Sequence, residues 1–432
     1  MSKLVVIQCP LQTRSGYGDH SADLVRAIIK NRPDWELKII PMLWGGCPLT
    51  EFSDDSDESK LIRSMYLTKQ LDRQPDLYIQ ITVPNEFRNI GKYNIGITAG
   101  IETTIADSTW IEGCNRMDLI IVPSNHAKNV FLNSVYDQID KQNNKVGELK
   151  VMKPIEVLFE GIDTTVFKHT KSITPRVAEE MALVEEDFAF LYVGHWLSGE
   201  DGHDRKDVGG LISTFYKSFA NAVKKPALVL KTSTATFSIM DKVELVKKIQ
   251  NIRSKVAQEI NSEDLPNIYL LHGDLTREDM NSLYNHPKIK SMVSFTKGEG
   301  FGRPLLEFTA SKKPVMVSNW SGQLDFLAFN TAILLSGELK KVHKSAVWNK
   351  VILADSQWFY VDYNFAQLKM KDVFEKYGKY LERANKQYNK TMALFTLDRM
   401  GTLLNEIFDK WIPQTPDTIS LKLPTLPKLK KI

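Results

Sequence analysis

At 432 residues, with 43% apolar and 25% charged residues, the chain has the make-up of a soluble globular protein and is long enough for two domains, each with its own core. A net charge of +4 is slight for this size and neither demands nor excludes a polyanionic partner. No apolar run approaches the length of a membrane span, Met1-Ser2-Lys3 opens no secretory pattern, and Cys9, Cys47 and Cys114 have no metal-like spacing. The expectation is a cytoplasmic protein with reduced thiols and no metal site.

Apolar, β-branched runs alternate with helical patterns from the start, which predicts an α/β chain of parallel sheets with crossover helices. The first series of strands falls at 4–9, 37–42, 77–81, 94–98, 119–123 and 155–159, with helices such as 20–30 and 124–135 between them. The polar segment 137–148 carries no periodicity and reads as a surface loop. A second series runs through 188–193, 227–231, 268–271, 289–295, 315–318 and 332–335. Two doubly wound domains follow, residues 1–165 and 166–385, with the ligand site in the cleft beyond the carboxyl ends of the strands. Residues 365–412 read as one long helical stretch, of which 386–412 form a last helix. The tail 413–432, with Pro416, Pro424 and Pro427 among Lys422, Lys428, Lys430 and Lys431, is too rich in proline to continue it.

Several places could carry chemistry. Ser15-Gly16-Tyr17-Gly18-Asp19-His20 opens the first helix, where glycines allow close backbone approach and a helix N-terminus favours phosphate; a tight turn is the alternative. Arg205 and Lys206 precede the helix beginning at Val208. Two cations there oppose the helix dipole unless an anion binds between them, the alternative being an exposed basic pair. Lys231, at a strand end, is either a third phosphate contact or a solvated lysine. His272-Gly273 begins a turn, with Thr276 or Asp274 as a possible helix cap.

The densest pattern is Gly298-Glu299-Gly300-Phe301-Gly302-Arg303-Pro304-Leu305-Leu306-Glu307, between apolar runs. A strand, a glycine loop and a helix starting near Pro304 set backbone N–H groups and the positive helix end at one point, with a carboxylate on either side. Such a site suits an anionic, hydroxyl-rich ligand. On spacing alone, an ordinary strand-loop-helix unit fits too.

Glu-Gly-Phe-Gly-Arg-Pro-Leu-Leu-Glu, followed by Lys313-Pro314-Val315 and Ser321-Gly322, resembles the paired-glutamate motif of retaining family 4 glycosyltransferases. The resemblance covers most of residues 1–410. It implies the two-domain GT-B fold, a last helix that crosses back to the first domain, and metal-independent sugar transfer from a nucleotide donor, expected to be a UDP-sugar. It assigns Arg205 and Lys206 to the diphosphate, with Lys231 as a further contact. Gly16 and Gly18 face the donor, the turn at His272 and Gly273 holds the base, Glu299 and the Gly300, Phe301 and Gly302 amides hold the sugar, and Glu307 holds the ribose. Glu102, in Thr98-Ala99-Gly100-Ile101-Glu102-Thr103, is the acceptor-side candidate, against a capping or ion-pair role. This segment, the Ser-Gly-Tyr-Gly-Asp-His opening and the Leu-Pro-Lys-Leu-Lys-Lys-Ile ending resemble phage-encoded, T-even-type enzymes that modify DNA, which implies duplex DNA with hydroxymethylated cytosine as acceptor. A surface glycan or lipopolysaccharide acceptor, and a non-catalytic sugar-nucleotide-binding protein, remain alternatives.

Overall fold

The computed structural model describes residues 2–197, 199–200, 202–234 and 238–413. The expected tail 414–432 lies outside the described residues.

The first half contains β1 (Leu4–Cys9), α1 (Gly16–Asn31), β2 (Glu36–Pro41), α2 (Asp57–Ser64), β3 (Leu77–Ile81), β4 (Tyr93–Ile97), α3 (Ser108–Asn115), β5 (Leu119–Val122), α4 (Asn125–Asn133), β6 (Tyr136–Ile139), β7 (Lys145–Leu149) and β8 (Ile155–Val157). Six of these strands form a parallel sheet in the order β2-β1-β3-β4-β5-β8. Its central strands are buried throughout, as the unbroken apolar runs of a parallel sheet require. Val5, Ile7, Ile79 and Ile97 pack toward α1, while Ile120 and Val122 pack with Trp110 and Phe131 on the opposite face.

The second half contains α5 (Pro175–Ala182), β9 (Ala189–His195), α6 (Val208–Phe219), β10 (Ala227–Ser233), α7 (Ile239–Ile260), β11 (Ile268–Leu271), α8 (Arg277–Asn285), β12 (Ile289–Ser294), α9 (Arg303–Thr309), β13 (Val315–Ser318) and β14 (Ile333–Leu335). These strands form a second parallel sheet, ordered β11-β10-β9-β12-β13-β14. The strand order reverses between β1 and β3 in one sheet and between β9 and β12 in the other. Loops leaving the carboxyl ends at such a reversal open a crevice.

A hairpin of β15 (Gly337–Lys341) and β16 (Gln357–Val361) follows, then α10 (Tyr363–Glu375), α11 (Tyr377–Leu394) and α12 (Leu397–Trp411). The single helical stretch expected over 365–412, and the last helix over 386–412, are therefore corrected. Ile162 donates to the Phe395 carbonyl and accepts from Leu397, so this backbone pairs with a strand-like segment instead of continuing the helix. Thr396 then caps α12 by accepting from Arg399 N–H at 3.2 Å. Among the described residues of these three helices, those of α12 reach the first sheet, where Met400, Leu404, Ile407 and Phe408 join its core. The expected loop 137–148 is also corrected to the β6–β7 hairpin; both strands are largely exposed, so no buried face imposes an alternating pattern. Among the described residues no helix is long and apolar enough to cross a membrane.

Candidate functional site

Four charged side chains meet where the loops of the two sheets touch. Lys206 Nζ donates to Glu299 Oε1. Arg205 Nη1 donates to the Gly298 carbonyl at 3.0 Å and lies 3.5 Å from Glu299 Oε2 and 3.7 Å from Glu102 Oε1. Arg205, Lys206 and Glu299 come from the second sheet and Glu102 from the first, so the cluster spans the crevice. Burial pushes the Glu299 carboxyl up, but Lys206 and Arg205 outweigh it and hold the group below the usual carboxylate range. Burial also lowers Lys206, whose ammonium is desolvated beside Arg205. Glu299 is thus held as a carboxylate facing two cations.

The turn that presents the cations is itself anchored. Asp207, at φ 50°, pairs with Lys297 at 3.0 Å, both fully buried, and accepts from Tyr363 at 2.8 Å. Lys297 N–H donates to the Arg205 carbonyl at 2.7 Å, which ties the 204–207 turn to the strand that leads into Glu299. Asp204 and Asp207 thus supply the negative charge that the start of α6 favours, and the two cations turn toward Glu299.

The glycine loop is shaped by close approach. A Cβ on Gly300 would stand 2.0 Å from the Ala99 carbonyl oxygen, and the Gly300 carbonyl accepts from Ser124 Oγ at 2.6 Å. Gly302 has φ 98°, a left-handed turn that releases the chain into α9. Phe301 is buried against Phe326, so only its backbone can face a ligand. Glu299 N–H donates to Ser321 Oγ at 2.9 Å.

Gly16 and Gly18 lie in the first turn of α1, capped by Ser15, whose Oγ accepts from Gly18 N–H. Tyr17 OH hydrogen-bonds Thr98 and accepts from Ala99 N–H, each at 3.0 Å, which joins this turn to the segment bearing Glu102. Across the crevice, Arg14 reaches Asp274 at 3.0 Å, which brings the Gly16–Gly18 turn near His272 and Gly273. Lys231 donates to the Gly273 carbonyl at 2.7 Å, and burial pulls its ammonium down to about 8. Lys231 is thereby tied to the turn at His272 and Gly273. Burial holds the His195 imidazole below its ordinary range, and Lys206, Lys231 and Arg205 lie close enough to add to that effect. His272 bonds Asp241 at 3.0 Å, and Thr276 caps α8. His126 bonds the Ile101 carbonyl and packs on Trp320.

Glu307 lies deeper. It accepts from Arg303 Nε at 2.9 Å, and Arg303 Nη2 reaches Asp23 of α1 at 2.7 Å. Burial pushes Glu307 and neighbouring Glu160 up to about 7 despite Arg303. The sequence reading passed over Asp23 and Arg303. An aspartate among Ala22, Leu24, Val25 and Ile28, on the buried side of α1, was the available signal. Among the described residues no group of three or more His, Cys, Asp or Glu could hold a metal ion.

No family model and no curated protein matches this chain in sequence. Solved structures match it over nearly its whole length. A glycosyltransferase from Rickettsia africae superimposes with a TM-score of 0.59 at 13% identity, over 96% of this chain and all of that one. HepE of Anabaena, solved with UDP and glucose, gives 0.55 at 12%, over 94% of this chain and 100% of that one. Sucrose-phosphate synthase from Thermosynechococcus elongatus gives 0.58 at 12%, over 94% and 98%. The chain has the GT-B fold. At these identities the likeness is one of architecture: two parallel six-stranded sheets set loop to loop.

Proposed function

We propose that the protein is a retaining glycosyltransferase that moves a sugar from a UDP-sugar to the hydroxyl of 5-hydroxymethylcytosine in duplex DNA. The observation that carries the transferase reading is the meeting of Arg205, Lys206, Glu299 and Glu102 across the crevice. Two half-buried cations beside a helix N-terminus can offset the charge that develops on a departing diphosphate. The structural neighbour solved with UDP and glucose supports a uridine nucleotide.

Glu299 is ion-paired with Lys206 and so is a poor nucleophile toward the anomeric carbon. The acceptor oxygen attacks that carbon on the face from which UDP leaves. The new C–O bond forms as the bond to the β-phosphate oxygen breaks, and that oxygen takes the acceptor's proton. Glu299 and the loop amides orient the sugar, Arg205 and Lys206 hold the phosphates, and Glu102 aligns the acceptor. Arg205 and Lys206 thereby fill the place of a metal ion.

The DNA acceptor rests on the resemblance of the 15–20 and 98–103 segments to phage DNA-modifying enzymes. The test incubates the protein with a panel of nucleotide sugars and follows nucleoside diphosphate release, with and without hydroxymethylated duplex, in EDTA. UDP release that depends on the modified duplex and resists chelation is expected. Slow donor hydrolysis with no transfer to that duplex would move the acceptor to a glycan. Lack of any release would leave a binding protein.

A further inference from the structure

The β15–β16 hairpin and its connection form an arm, residues 337–361, that packs against both sides of the charged cluster. Phe359 N–H donates to the Lys297 carbonyl at 2.9 Å, two residues before Glu299. His343 stacks on His203 at 4.0 Å and Ser345 accepts from Glu200 N–H, which holds the arm to the loop bearing Arg205 and Lys206. On the first-sheet side, Gln357 exchanges hydrogen bonds with Thr104 at 2.9 and 3.0 Å, two residues from Glu102, and Val351 packs toward the cluster around Trp110. The arm is fixed at the mouth of the crevice.

Its outer surface is basic and aromatic. Lys340, Lys341, Lys344 and Lys350 are exposed, against Glu338 and Asp355 as the acidic residues of 337–356. Trp348 is 63% exposed, yet it is not on a loose loop. Its backbone exchanges hydrogen bonds with Ile352 at 3.0 and 2.7 Å around Lys350, whose φ of 64° is rare for a residue with a side chain. A large aromatic held out in water by a tight turn, on an arm with four exposed lysines of which Lys340 and Lys341 face Glu338 and Asp355, is a binding feature more than a packing one.

We propose that this arm is a contact surface for duplex DNA, in which the lysines meet backbone phosphates and Trp348 stacks on a base. The proposal rests on the DNA reading above and extends it. Glu102 and Glu299 lie inside the crevice, with side chains 29% and 11% exposed, so a hydroxymethyl group on a stacked base cannot reach them. The target nucleotide must leave the helix, which strips a neighbouring base of its stacking partner. An exposed aromatic side chain on the arm, such as Trp348, can replace that partner, and aromatic stacking accepts any base. Phosphate contacts supply position without sequence preference.

The test uses the full chain, a Trp348→Ala variant, and a Lys340→Ala/Lys341→Ala/Lys344→Ala triple variant. Labelled duplex, with and without hydroxymethylcytosine, is titrated by anisotropy between roughly 50 and 200 mM salt, and transfer is followed alongside UDP release without acceptor. The triple variant is expected to flatten the slope of log affinity against log salt by about 2.7, since each of the three lost phosphate contacts removes about 0.9. Trp348→Ala is expected to raise KM for modified duplex about tenfold. Acceptor-free UDP release and thermal midpoint should be unchanged in both. If the wild type transfers sugar to the duplex and both variants match it in slope and KM, the arm proposal falls and the DNA reading stands. If the wild type neither binds nor modifies the duplex, both fall.

Discussion

At the scale of single residues, the Lys206–Glu299 pair decides what each group can do. Glu299→Gln keeps the shape of the side chain and removes its charge, so Lys206 and Arg205 lose a competitor for phosphate. Turnover is expected to drop by about 10² to 10³, while UDP affinity measured by calorimetry holds or tightens. Equal loss of both would remove Glu299 from the sugar contact. Glu160 gives a pH-dependent case. Its carboxyl, 7% exposed, is raised to about 7 by burial, against 4.5 for the free group. Between those values the unfolded chain has released the proton and the native state keeps it, so this group makes stability fall as pH rises from about 4.5 through 7. Glu160→Gln should therefore raise the thermal midpoint by several degrees at pH 8 and by much less at pH 5. The same gain at both pH values would mean that Glu160 is not titrating in the native state.

At the scale of elements, α12 is the segment whose placement depends on packing against a distant part of the chain. Its apolar stripe of Met400, Leu404, Ile407 and Phe408 fills the groove beside α1, and Lys30–Asp398 and Arg32–Asp409 ion pairs flank it. Those exposed pairs add little, so the stripe supplies most of the hold. Leu404→Ala is expected to cost roughly 2–5 kcal/mol in urea unfolding of the first-sheet half. UDP affinity, which the proposed function assigns to residues of the second sheet, should stay within about twofold. A stability loss below roughly 0.5 kcal/mol would show that α12 is not docked as described.

For the molecule as a whole, the crevice is closed by backbone contact. Gly300 touches Ala99, Ser124 donates to Gly300, and Asn125 N–H donates to Asp325 at 2.8 Å. Gly300→Ala would place its Cβ 2.0 Å from the Ala99 oxygen, which forces the halves apart or distorts the loop. Because Glu102 is the cluster's contribution from the first sheet, transfer should fall at least about 100-fold while UDP still binds. Wild-type transfer by this variant would show that catalysis does not need the halves in this contact.

The strand runs, the alternation of strands and helices and the Gly298–Glu307 loop were legible because burial of both sheet faces and the turn chemistry of glycine write themselves locally. Arg205, Lys206 and Glu299 stood out for the same reason: two cations at a helix start and a glutamate in a glycine loop each conflict with, or punctuate, their local pattern. The break at Phe395–Thr396 was not legible, since the partner that ends the helix is Ile162, more than two hundred residues away. Nor was the β6–β7 hairpin, whose exposed strands carry no pattern. Whether Arg205 meets Glu102, whether Arg303 joins Asp23 to Glu307, and whether Trp348 faces water are questions of how two separately wound sheets meet. Local propensity fixes a side chain's neighbours along its own element; contacts across a crevice depend on the docking of elements that share no sequence neighbourhood.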